Sequence, residues 1–145
     1  MACPYFVPRQ ILNDGSWPHP SRLPLGAGWT GECCASGSLF SPHDFQIHEF
    51  CNLGYAKDCP RLPADRDWDA IRFAVAKMSN EQIVVGYSCE LDHAPVAHGK
   101  LVFDSRAERW ADFECDARVR GLADAFLQSY RAKSEAKSQL EEVET

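Results

Sequence analysis

Long apolar runs are missing from this chain: no stretch reaches the ~20 residues that a membrane-spanning helix needs. Basic charge is also in short supply. Fifteen Lys and Arg stand against 21 Asp and Glu, leaving a net charge of −6. Such a balance supplies no field to neutralise phosphates and argues against nucleic acid as a partner. There is no G-x-x-x-x-G-K-S/T loop and no G-x-S-x-G turn, so nothing points to a P-loop nucleotide site or to a serine hydrolase. Neither the paired C-x-x-C knuckles of a zinc ribbon nor the compact ferredoxin cysteine run occurs. The N-terminus, Met1-Ala2-Cys3-Pro4-Tyr5, has no basic segment followed by an apolar one. It does not read as a secretory signal, and the expected location is the reducing cytoplasm, where disulfides rarely persist. Seven cysteines, an odd number, therefore call for another explanation.

What is present is unevenly spread. Eight of nine prolines fall within residues 4–63, six of nine glycines within 15–54 and five of seven cysteines within 3–59. With a length that suits one domain, 1–145, the chain divides into a loop-rich region (1–63), an ordinary core (64–130) and a polar helical tail (131–145). So much irregular chain is unusual in a small domain. The aromatics Tyr5, Phe6, Trp17 and Trp29 speak against disorder, so something must tie the region down.

Local patterns give a coarse map. Ser41-Pro42-His43-Asp44 predicts a short helix capped by Ser41 and stopped by Gly54, with Cys51 at its end and Cys59 in the loop beyond. Trp68, Ile71, Val75 and Met78 recur at helical spacing and predict a helix from Asp65 or Asp67 to about Met78. Gln82–Leu91 alternates, with Ile83, Val85, Tyr87, Cys89 and Leu91 on one side, and predicts a strand. A loop over 92–99 leads to a second, antiparallel strand, Lys100–Asp104. Val119, Leu122, Phe126 and Tyr130 mark a last helix. The expected fold class is α+β: a small antiparallel sheet packed by helices, with the N-terminal region organised around a metal centre.

Four cysteine positions carry that centre: Cys3, Cys33 (with Cys34 as its alternative), Cys51 and Cys59. Thiolates are soft ligands that suit iron–sulfur clusters and zinc, and four of them hold a [4Fe–4S] cluster. Cys3 and Cys59 are each followed by proline, as is the last ligand of the bacterial ferredoxin run. Tyr5, Phe6, Phe50 and Tyr55 are near enough in sequence to exclude water, and Arg9, Arg22, Lys57 and Arg61 to offset negative charge. Intervals of 29, 17 and 7 residues match no compact motif. Two other readings stand beside the cluster. The thiols could be buried small hydrophobes, or they could staple one zinc ion.

Cys89 sits on the apolar face of its strand and reads as core, while Cys115 receives no role. Of the histidines, His43 and His48 stand five apart, which does not place two ligands on one helical turn. Asp92, His93 and His98 read as a solvated turn in preference to an acid–base pair.

The segments Cys3-Pro4-Tyr5-Phe6, Pro18–Gly26, Cys51-Asn52-Leu53-Gly54-Tyr55-Ala56 and Cys59-Pro60-Arg61-Leu62-Pro63 resemble a family of small uncharacterised bacterial proteins, over residues 3 to about 104. The resemblance implies that the four cysteine positions act as one set and attaches no activity to them. The function expected is that of a [4Fe–4S] protein acting in electron transfer or redox sensing, with a redox partner of unknown kind. A zinc-stapled interaction domain and a metal-free enzyme using Cys33 or Cys34 are the alternatives. Phe126 and Tyr130 on the C-terminal helix could serve a homo-oligomer.

Overall fold

The computed structural model describes residues 2–12, 19, 23–53, 59–111 and 116–143, with side chains as far as residue 135. It is an α+β arrangement of two antiparallel sheets with helices. Strands β1 (Phe6–Leu12) and β2 (Gly28–Cys33) form a two-stranded sheet. The N-terminal region is thus less irregular than its proline content suggests. Pro8 is accommodated because the register slips between Pro8 and Gln10, and a bulge needs no N–H from it. Opposite Pro8 stands Gly31, where a Cβ would overlap the Val7 carbonyl. The run Gly26-Ala27-Gly28-Trp29-Thr30-Gly31 has dinucleotide-type glycine spacing, but it enters β2 and opens no helix, so the phosphate-binding context is missing.

A short helix, α1 (Asp44–Gln46), widens into a π-helical turn over Ile47–Asn52. Its cap is His43 and not the expected Ser41. The second sheet runs β3 (Ala70–Met78), β4 (Gln82–Leu91), β5 (Ala94–Asp104) and β6 (Arg109–Trp110), in that order. Two expectations are corrected here. The segment ending at Met78 is a strand, not a helix, because Ile71, Phe73 and Val75 also alternate, and pairing with β4 puts Ile71 opposite Cys89. The Ser79 hydroxyl, accepting from the N–H groups of Glu81 and Gln82, holds the turn between them. The loop over 92–99 shrinks to Asp92 and His93, both with positive φ (50° and 68°), as a two-residue hairpin turn requires. Pro95 stays within β5 because the register slips beside it, between Cys89 and Glu90.

Helix α2 (Ala117–Val143) packs on β1 and β3. Asp116 caps it, accepting from the Arg118 N–H at 2.8 Å. Val119 and Leu122 are buried, as expected from their spacing, while Phe126 stacks on Phe73 and the Tyr130 hydroxyl reaches Met78 Sδ. Both aromatics proposed for an oligomer contact are engaged within the chain. One core cluster joins Cys3, Leu25, Trp29, Cys51 and Ile71 to Val119 and Leu122; a second gathers Ile83, Val85, Phe103 and Leu127. Cys89 is fully buried in the first, as its strand position predicts. No described helix is long and apolar enough to cross a membrane.

Candidate metal centre

Four separate pieces of chain deliver the cysteines. Cys3 precedes β1 and is anchored by the neighbouring bridge, in which the Ala2 and Ile71 N–H groups each donate to the other's carbonyl. Cys33 ends β2, where it is held on two sides: it lies opposite Phe6 in β1 and exchanges both backbone hydrogen bonds with Phe40, at 2.7 and 2.9 Å. Cys51 lies in the π-helical turn. Cys59 starts a tight turn closed by the Leu62 N–H on its carbonyl.

Asn52 fixes the turn that carries Cys51. Its buried carboxamide accepts from the Trp29 N–H and donates to the carbonyls of Trp29 and Ile47, all at 2.8 Å. Trp29 belongs to β2, so this clamp locks the turn of Cys51 to the strand of Cys33. The Trp29 indole donates in turn to Ser129 on α2 at 3.0 Å. A π-helical turn is rare and recurs at functional sites.

The four pieces converge. Cys3, Cys33, Cys51 and Cys59 line one enclosed pocket of about 20 Å³, together with Phe6, Pro42, Gln46, Phe50 and Arg61. Cys34 does not line it; that thiol is half-exposed and lies near Arg118 and Asp116. Arg22, Lys57, Tyr55 and Trp17 lie outside the described residues, as does Cys115. Of the remaining cations, Arg61 lies against the pocket with its guanidinium 3.3 Å from the centre of the Phe40 ring, whereas Arg9 is taken up by an exposed pair with Glu32.

The electrostatics follow from this convergence. Burial, with smaller contributions from the neighbouring Cys33 and Cys59, pushes the Cys3 thiol up to about 12 against hydrogen bonds from the Tyr5 and Phe6 backbone. Burial likewise pushes the Cys51 thiol up, with Cys3, Cys33 and Cys59 adding to the shift. Without a cation these two thiols are neutral, and a bound metal reverses that balance. The Ala35 N–H points at Cys33 Sγ from 3.4 Å, so backbone donors already face two of the sulfurs.

Thiols are soft donors of the kind that suit a metal, and Phe6, Pro42 and Phe50 form the apolar wall of the pocket. Gln46 adds a second sign: its side-chain oxygen is buried without a hydrogen-bond partner beside the thiols. With its amide turned over, the same side chain presents N–H donors to a bound sulfide or thiolate. Sequence reading did not single out Gln46, because a lone glutamine in a helical stretch carries no signal until its burial is known. Two features bear on which metal. Among the described residues, no three His, Cys, Asp or Glu side chains are arranged to hold a single ion. A mononuclear zinc site would need sulfurs only ~3.8 Å apart, given bonds of ~2.3 Å. The pocket itself has room for about a water, so loading a cluster would require it to widen.

Comparison with protein-family models, with curated proteins and with solved structures yields no match, so the reading of this site rests on its own geometry.

Proposed function

We propose that the chain holds a [4Fe–4S] cluster on Cys3, Cys33, Cys51 and Cys59 and acts in electron transfer or redox sensing. The observation that carries this reading is the convergence of four thiols, from positions 56 residues apart at their extremes, on one apolar pocket. Free thiols could simply fill a core, as Cys3 and Cys51 do in part, but core packing gives no account of the unpartnered Gln46 side-chain oxygen beside them. Four thiolates would each hold one iron of a cubane cluster.

When bound, the cluster would supply one-electron chemistry at a site shielded from water. The residues would divide the remaining work. The backbone N–H groups of Tyr5, Phe6 and Ala35 donate toward sulfur and stabilise negative charge. Arg61 offsets that charge at the rim. Phe6 and Phe50 keep the site dry. Four thiolates would leave no open iron position, which suits electron transfer better than substrate activation. A zinc staple on the same thiols is the second reading, favoured by the small volume of the pocket.

Anaerobic purification tests this directly. A brown protein containing iron and sulfide supports the cluster, and retention should be lost in Cys51→Ser and Cys59→Ser but kept in Cys89→Ser. A colourless protein with one zinc would replace the cluster by the staple. Metal retained in both serine variants would refute the ligand set.

A further inference from the structure

A second concavity lies far from the cysteines in character. A cavity of about 550 Å³ opens on the middle of the four-stranded sheet, lined among others by Arg72, Ala74, Gly86, Ser88, His98 and Lys100. Its size falls within the range of small-molecule sites, roughly 300–1,000 Å³. The register places these six residues as two adjacent rows across β3, β4 and β5: Arg72, Ser88 and His98 in one, Ala74, Gly86 and Lys100 in the next. Residues two apart in a strand share a face, so all six belong to one face of the sheet.

Gly86 is the informative member. It occupies the middle of an interior strand, where glycine has no side chain to pack and weakens the element. Nothing local demands it. Its φ lies outside the left-handed region, and a Cβ there would meet only the Ala74 carbonyl oxygen, at 3.8 Å. At Gly99, by contrast, a Cβ would meet the far end of the Tyr87 side chain, which would have to move aside. The consequence of glycine at 86 is an open floor, continued by Ala74 and Ser88.

The rim is basic in a chain whose net charge is −6. Arg72 is held by Glu90, to which its Nε donates at 2.7 Å, and this leaves its other N–H groups free to turn to a ligand. Among the described residues, Lys100 and His98 enter no ion pair. An apolar floor beneath cationic donors selects a ligand with a flat apolar body and one anionic group.

We propose that this hollow is a binding site for a small organic carboxylate, independent of the metal centre. The test is a backbone amide NMR titration of the full chain with benzoate, benzamide and inorganic phosphate. Benzoate should give saturable shifts confined to residues 72–74, 86–88 and 98–100. Gly86→Val should fill the floor and weaken benzoate at least about tenfold without lowering the melting temperature. Lys100→Gln, on the exposed rim, should weaken benzoate about tenfold and leave benzamide unaffected. Absence of saturable benzoate shifts, unchanged binding in a folded Gly86→Val, benzamide binding as tightly as benzoate, or a response to phosphate alone would each overturn the proposal.

Discussion

Single residues decide whether the cysteines can meet. Gly31 is one of them: β1 and β2 approach so closely at the bulge that any side chain there would strike the Val7 carbonyl. Because Cys3 leads into β1 and Cys33 ends β2, that approach also sets how near these two thiols stand. Gly31→Ala should cost about 2 kcal/mol, since backbone cannot yield as a flexible side chain does, and should be read as a lower melting temperature in metal-free protein. An unchanged melting temperature would show that the strands separate freely at this point. Asn52 works through three hydrogen bonds in place of a steric limit, and no sequence signal distinguishes it from any asparagine near a helix end. Its role exists only because Trp29, 23 positions earlier, lies against it.

At the scale of elements, patterns were legible where one period dominated. The β4 strand has the boundaries its alternation predicts, Gln82 to Leu91, and the spacing of Val119, Leu122 and Phe126 marks the packed face of α2. The β3 sequence is ambiguous because Ile71 and Val75, four apart, satisfy both periods; Phe73 and the hydrogen bonds to β4 make it a strand. β1 and β5 each carry a proline that argues against a strand until the bulge beside it is known. The α2 helix also contains an unused opportunity. Gly121 is exposed within it, and a Cβ there would meet nothing within 4 Å. Gly121→Ala should stabilise the protein by about 1 kcal/mol, seen as a higher denaturant midpoint with unchanged slope. A loss of stability would mean that the helix does not run through this position.

For the whole molecule, the proposed metal binding and the folding of the N-terminal region should be coupled, because a metal bound only by the folded state stabilises it by mass action. Stripping the metal with a chelator should lower the melting temperature by several degrees and should loosen β1 and β2 before β4 and β5, whose Ile83, Val85 and Phe103 form a second core cluster with Leu127 of α2. Hydrogen exchange on loaded and stripped protein measures this; equal protection of β1 and β2 in both forms would rule the coupling out. By itself the sequence determined which residue types were on hand and where they were concentrated: soft thiols in a proline- and glycine-rich half, an alternating strand, an amphipathic helix and a chain with no apolar span. Those are local properties, set by composition and by period. Only the tertiary structure decided that Cys33 and not Cys34 faces the other thiols, that the Gln46 side-chain oxygen is buried beside them, and that Gly86 opens a hollow in the sheet. Each depends on which segments distant in sequence come to lie side by side, and no spacing along the chain encodes that.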